Sequence, residues 1–310
     1  MAYQLSDINA RAARPGEFMT ECDRAFQEKV TLAADRIQEN LARSPVVLLS
    51  GPSGSGKTTT ALKIEEELER RGVATRTFSM DHYFNTLDPA TAPKTPEGAI
   101  DFESPLMLDW ELLDRHFTAL EVGEPIFVPH FEFARQMRND SRAVRVQLEP
   151  NEVAIFEGIH ALSPRITAAH PNALRLYISA RSDILDGEEV CFKSTWLRLA
   201  RRAVRDYNFR GTGVAETLAM WGNVRRGEKA YISPYKESAH VMFDSALPYE
   251  VNVMANYARP ILAAIPPENQ RTHELFELIA AFDRFTPIDP ALVPGDSLLR
   301  EFIGGSDYHY

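Results

Sequence analysis

The sequence predicts an α/β fold in which a parallel sheet is flanked by helices, and three observations carry that prediction. Short apolar runs of strand length recur along the chain, beginning with Val46-Val47-Leu48-Leu49. They alternate with segments of helical periodicity, the order that builds right-handed strand–helix–strand crossovers. A glycine-rich turn joins the first run to the helix after it, so the switch from strand to helix is abrupt.

Taken in order, residues 18–42 read as an amphipathic helix, with Phe18, Cys22, Ala25, Phe26, Val30, Ala33 and Ile37 at helical spacing. Pro45 ends it, and Val46–Ser50 forms a short buried strand. The turn comes next, then a helix over Lys57–Arg70 stopped by Gly72. Residues 73–78 read as the next strand. Pro89, Pro93, Pro96 and Pro105, with Gly98 among them, make residues 85–106 a long loop, and loops of that length in compact domains are usually functional or disordered. Residues 108–120 are helical. A strand at 144–148 can pair with 126–128 in a small hairpin. The fully apolar run at 153–156 and the run at 174–178 are further strands. Long helices are expected over 194–207 and 214–231, a last strand at 241–243, and C-terminal helices near 249–265 and 270–284. No internal repeat or low-complexity segment is present.

The bulk composition is ordinary for a globular chain of 310 residues, with 44% hydrophobic and 25% charged residues. A formal charge of −10 argues against a general nucleic-acid binder, which carries a basic face. It leaves room for a nucleotide site, because a phosphate pocket needs only a few local cations. Cys22 and Cys191 have no metal-ligand spacing and read as idle thiols in a reducing compartment. The N-terminus, with Asp7, Asn9 and Glu17, has no apolar signal region. Residues 46–49 are far too few to span a bilayer. A cytoplasmic protein without membrane or nucleic-acid partners is the expectation.

Gly51-Pro52-Ser53-Gly54-Ser55-Gly56-Lys57-Thr58 fits the phosphate-binding pattern G-x-x-x-x-G-K-[ST]. Its glycines permit turns that aim successive N–H groups at phosphate oxygens, and the following helix adds its positive end. Lys57 would reach the β- and γ-phosphates of ATP, and the Thr58 hydroxyl would bind Mg²⁺. The fold is therefore a P-loop NTPase-type parallel sheet flanked by helices, with a small β-hairpin or lid insertion and C-terminal helices.

Asp81 follows the second strand in Ser79-Met80-Asp81-His82-Tyr83-Phe84. Ligands of open α/β sheets bind beyond the carboxyl ends of strands, so Asp81 is placed to take a proton from an attacking hydroxyl. On local grounds alone a turn cap explains it equally well. Glu157 ends the apolar strand at 153–156 and can hold Mg²⁺ directly or through water. Arg198, Arg201, Arg202, Arg205 and Arg210 form a cationic cluster, with Arg198, Arg202 and Arg205 on one helical face. A solvated basic face is the bland explanation. A lid that supplies arginines to the transferring phosphoryl group is the functional one.

Together these segments resemble the uridine kinase and phosphoribulokinase family of P-loop kinases, and the uridine–cytidine kinases most closely. The resemblance runs through residues 51–59, Ser79-Met80-Asp81, Asp101-Phe102-Glu103-Ser104-Pro105, Val128-Pro129, residues 131–138, 155–159 and 198–211. It implies that Asp81 is the catalytic base, Glu157 a magnesium-side acid and Glu103 an acid for ribose hydroxyls. Arg202, Arg205 and Arg210 match lid and phosphate-binding arginines. It places Gly51, Ser53, Gly54, Ser55, Gly56, Lys57, Thr58, Thr59 and Arg210 about ATP. Tyr83, Phe131, Gln136, Arg138 and Met220 join Asp81 and Glu103 about the acceptor. Phe131 and Gln136 stand where uridine–cytidine kinases carry a base-reading tyrosine and histidine, and Met220 stands for a glutamine. The ribose and phosphate machinery is kept while the base-reading set is replaced.

The expected organisation is a helical extension over 1–44, a kinase domain over 45–250 and a helical segment over 251–310 packed on it. The expected activity is transfer of phosphate from Mg–ATP to a nucleoside 5′-hydroxyl. A kinase of another small alcohol, such as ribulose 5-phosphate or pantothenate, stays open because Arg135, Arg138, Arg142 and Arg145 can meet a phosphorylated acceptor. A nucleotide-binding regulator is the third reading, and a homo-oligomer is left open by the resemblance. The Gly304-Gly305-Ser306 tail reads first as a plain terminal turn, with packing near the active site as the alternative.

Overall fold

The protein is described by a computed structural model covering residues 2–265 and 273–309. Its centre is a five-stranded sheet built from β1 (Val46–Ser50), β2 (Ala74–Ser79), β3 (Glu152–Glu157), β4 (Leu174–Ser179) and β5 (Val241–Asp244). The order across the sheet is β5-β4-β1-β3-β2, and every pairing is parallel. The inner strands are mostly apolar because each face meets its own core. Val47 and Leu49 of β1, with Val153 and Ile155 of β3, point into one core. Val46 and Leu48, with Ala154 and Phe156, point into the other.

The first core is closed by α1 (Pro15–Asn40), α2 (Lys57–Arg70), α4 (Ser194–Phe209) and α6 (Glu250–Ala263). The second is closed by α3 (Trp110–Glu121) and by the hairpin in which Ile126–Val128 pairs with Val144–Val146. A smaller ribbon, Phe131–Glu132 against Met137–Arg138, extends this insertion. Helix α5 (Val214–Gly227) is shorter than the expected 214–231. It passes into a π-helical turn, Glu228–Ile232, and then into 3₁₀ structure around Pro234.

A second, three-stranded sheet was not expected from the sequence. Ala2–Gln4 runs parallel to Asp183–Asp186, which pairs antiparallel with Glu189–Phe192. These strands are only three or four residues long, and two of them carry acidic residues, so no alternating apolar pattern marks them. The helix expected near 270–284 is seen as His273–Phe282; its proposed first turn, 270–272, lies outside the described residues. After it the chain returns across α2, where Lys63 pairs with Asp296 at 2.9 Å. Among the described residues no helix is long and apolar enough to cross a membrane.

Candidate active site

Strand register brings the functional segments to one level. Glu157, the last residue of β3, pairs with Leu49 of β1 and Ser79 of β2. The P-loop begins two residues beyond Leu49, and Asp81 lies two residues beyond Ser79. Parallel strands therefore deliver the phosphate loop, Asp81 and Glu157 to the same edge of the sheet. The Ser79 hydroxyl accepts the Asp81 N–H at 3.3 Å and sets the 3₁₀ turn Met80–Tyr83.

The P-loop is gripped from behind by α4. Arg198 Nε donates to the Ser53 carbonyl at 3.1 Å, and its two Nη groups donate to Glu228 at 2.9 and 2.8 Å. Arg201 Nη1 donates to the Gly54 carbonyl at 3.3 Å, and Arg202 Nη1 to Ser53 Oγ at 2.8 Å. Gly54 has φ of +73°, and a Cβ there would stand 2.7 Å from the Arg198 carbonyl oxygen. Only glycine accommodates both the left-handed backbone and that approach.

In front of the loop lies a cleft of about 250 Å³. Ser53, Gly54, Ser55, Gly56, Lys57 and Thr58 form its floor, with Asp81, Glu103 and Glu157 on its walls and Arg202, Arg205 and Arg210 above. Phe84, Phe102 and Ile159 supply apolar surface. Three of the five predicted arginines thus reach the cleft. Arg198 and Arg201 are 2% and 0% exposed and support the loop, so neither belongs to a solvated basic face. Buried Asp206, which no sequence signal marked, anchors the cleft arginines: Arg205 donates to it at 2.9 Å, with Arg202 and Arg210 at 3.4 and 3.7 Å.

The charges of the cleft are strongly coupled. Burial pushes the Glu157 carboxyl up to about 7, with Lys57 opposing the rise and Asp81 and Glu301 adding to it. Burial likewise raises Asp81 against the pull of Lys57 and Arg210. It lowers the Lys57 ammonium despite Glu157, Asp81 and Glu301. Both directions follow from burial, which disfavours the charged form of each group. Thr58 and Glu157 offer the hard oxygen donors that Mg²⁺ prefers, and both line the cleft. Among the described residues no group of three or more His, Cys, Asp or Glu is disposed to hold a metal unaided. The donor set therefore fits a magnesium ion that takes its remaining ligands from phosphate and water.

Glu103 sits in a network of its own. Its N–H donates to Asp101 Oδ1 at 3.2 Å, Arg226 pairs with Asp101 at 2.7 Å, and the Tyr231 hydroxyl donates to Asp101 at 3.3 Å. A Cβ on Gly227 would fall 2.4 Å from the Glu103 Cβ, so α5 packs directly against this acid.

Several predicted acceptor contacts are corrected by the geometry. Tyr83 is fully buried in the second core, its hydroxyl 2.9 Å from His116 Nδ1, because the 3₁₀ turn sends it away from the Asp81 side. Phe131 is buried behind Phe84, edge-on at 5.6 Å, and reaches the cleft only through that ring. Gln136 is exposed at the tip of the ribbon with φ of +51°, and its carbonyl accepts the Leu87 N–H. Arg138 is spent on Asp109 at 2.7 Å and Asp140 at 3.1 Å. Met220 projects to solvent from α5 and does not line the cleft. Thr59, expected about ATP, is fully buried and donates from Oγ1 to Glu301 at 2.6 Å. Gly51 stays at the turn, where a Cβ would stand 2.0 Å from the Ile178 carbonyl oxygen.

The tail is no plain terminal turn. Leu298 packs on Gly56, and Glu301 enters the cleft. Glu301 was not marked by the sequence, because no local pattern joins it to Thr59, 242 positions away.

A P-loop with carboxylates at the end of β3 and beyond the end of β2, and arginines overhead, defines a phosphotransferase-type nucleotide site. The chain belongs to the Phosphoribulokinase / Uridine kinase family, whose profile matches residues 46–251. It is 28% identical to a uridine kinase of Halobacterium salinarum over 195 residues, covering 63% of this chain and 77% of that one. It is 27% identical to a uridine kinase of Staphylococcus haemolyticus over 203 residues, covering 65% and 88%. A solved structure from Silicibacter sp. TM1040, provisionally named a fructose transport system kinase, aligns with a TM-score of 0.50 at 20% identity. That alignment covers 69% of this chain and 98% of the other, and it shares the fold.

Proposed function

We propose that this chain transfers the γ-phosphoryl group of Mg–ATP to the 5′-hydroxyl of a nucleoside. One observation carries the reading: Asp81, from the end of β2, and Glu103, from the long loop, line the same cleft as Lys57 and Thr58. A nucleotide-binding regulator needs neither acid. The relatives named uridine kinase support a nucleoside acceptor.

In this mechanism Glu103 accepts hydrogen bonds from ribose hydroxyls and points the 5′-hydroxyl at Asp81. Asp81 takes the proton as the oxygen attacks. Lys57, Arg202 and Arg205 meet the charge that spreads over the transferring group, and Arg210 completes the cationic roof. Thr58 and Glu157 would hold Mg²⁺, which when bound would supply positive charge against the phosphate oxygens. Phe84 and Phe102 give the cleft apolar surface that would border the acceptor.

A phosphorylated acceptor fits less well. Of Arg135, Arg138, Arg142 and Arg145 none lines the cleft, and Arg138 is already paired with Asp109. The test is ADP production from Mg–ATP against uridine, cytidine, adenosine, guanosine, inosine, ribulose 5-phosphate and pantothenate. Stimulation by a nucleoside supports the proposal. Stimulation by the sugar phosphate or pantothenate alone overturns the acceptor, and no stimulation by any compound overturns the kinase reading.

A further inference from the structure

Residues 298–309 lie outside the stretch that matches the family, yet they wall one side of the P-loop. Beyond Thr58 a second cavity opens, of about 550 Å³. Phe209 and Arg210 line it from the end of α4; Arg300, Gly304, Tyr308 and His309 line it from the tail. The two cavities share Thr58, Arg205, Arg210 and Glu301, so they meet at the first turn of α2. A phosphate chain cradled by the loop with its reacting end toward Asp81 and Glu157 would have its other end directed past Thr58 toward the tail cavity.

We infer that the C-terminal tail builds the pocket for the nucleoside part of the donor nucleotide, an inference that rests on the donor being a nucleoside triphosphate. The size suits such a ligand, since small-molecule sites run ~300–1,000 Å³. The lining suits it as well. Phe209 is 57% exposed, a flat apolar ring open at the cavity, and Tyr308 adds a second aromatic side chain. Rings of this kind stack on bases of any sequence. Gly304 approaches the Phe209 ring, 3.2 Å from a would-be Cβ to Cζ, so a bulkier residue would crowd that ring.

The pocket is preformed. Leu298, Leu299 and Phe302 are buried in the first core, and Arg300 donates to the carbonyls of Val293 and Gly304 at 2.5 and 3.2 Å. The Tyr308 hydroxyl donates to Glu66 of α2 at 2.7 Å. Glu301 fastens the tail to the phosphate loop itself, accepting from Thr59 Oγ1 at 2.6 Å and from the Thr59 N–H at 3.3 Å. Thr59 thereby holds the tail in register, while Lys57 and Thr58 face the cleft.

The test is calorimetric titration of the full chain with ATP, ADP and inorganic tripolyphosphate, each with Mg²⁺. Tripolyphosphate carries the phosphates and lacks the nucleoside. The native chain is expected to prefer ATP to tripolyphosphate by about tenfold or more, the scale of one to two stacked rings. Phe209→Ala and Tyr308→Ala are each expected to weaken ATP about tenfold and leave tripolyphosphate unchanged. Tyr308→Phe, which keeps the ring, should retain ATP affinity, with thermal melting showing that each variant is folded. Equal binding of ATP and tripolyphosphate by the native chain overturns the inference. So does an equal loss of both ligands in the variants, or no loss of ATP. Because the readout is binding, nucleotide selectivity without phosphorylation of any acceptor would sink the kinase proposal and leave this one standing.

Discussion

Arg201 and Glu250 face each other with no exposed surface on either side chain, joined by two hydrogen bonds of 2.5 Å. The same guanidinium also donates to the Gly54 and Ser245 carbonyls, so one buried ion pair holds the phosphate loop against α6. Breaking one side of such a pair leaves a charge in the core without its counterion, at a cost of about 3–5 kcal/mol. Glu250→Gln should therefore lower the unfolding free energy from urea titration by that amount. A loss under ~1 kcal/mol would show that the pair contributes little beyond its packing.

Asp81 is the group whose removal should separate binding from chemistry. Asp81→Asn keeps the shape of the turn and removes the base, so turnover should fall ~10²–10⁴-fold. Nucleotide affinity should hardly change. Steady-state rates on the best acceptor, beside a nucleotide titration, check both halves. Full activity in the variant would remove Asp81 from the role of base.

Glu103 gives the pH dependence a sign. Burial raises its carboxyl from 4.5 to about 7, with Asp101 and Asp81 adding to the rise and Arg202 and Lys57 opposing it. The folded chain therefore binds a proton that the unfolded chain has released between those values, and stability falls as pH climbs through that window. Melting temperature of the ligand-free protein should drop from pH 5 to pH 8. Glu103→Gln should remove part of that drop and raise the melting point at pH 8 by ~2–4 °C. Acceptor KM should decrease over the same range as the carboxylate becomes available to ribose hydroxyls. A flat KM profile would take Glu103 out of acceptor binding.

Gly227 offers a test from outside the cleft. An alanine methyl there would collide with the Glu103 side chain, 2.4 Å from its Cβ. Gly227→Ala should raise acceptor KM roughly tenfold, an effect of ~1.4 kcal/mol, and leave the KM for ATP in place. Equal changes in both constants would point to a general shift of α5.

What the sequence made legible was local chemistry on regular elements. The run at 46–49, the glycine-rich turn and the helix over Lys57–Arg70 specify the phosphate loop within a short stretch. Asp81 and Glu157 were legible because parallel strands present their carboxyl ends together. Tyr83 was misread because adjacent residues in a 3₁₀ turn face different ways, and two positions past Asp81 the chain already points into the core. Glu228, Glu250 and Glu301 were invisible, since each meets its arginine or threonine across 30 to 242 positions of chain. No periodicity records pairings at that range.

Arg198, Arg201 and Arg202 reach back from one helix to Ser53 or Gly54. The stem of α4 and the phosphate loop are thus a single rigid body, clamped over the helix's first turns. Beyond Arg202 the cationic roof rests on a different support, where Arg205 and Arg210 share the anchor Asp206. A phosphate bound under Arg205 and Arg210 would therefore compete with a single carboxylate, Asp206, for both guanidinium groups.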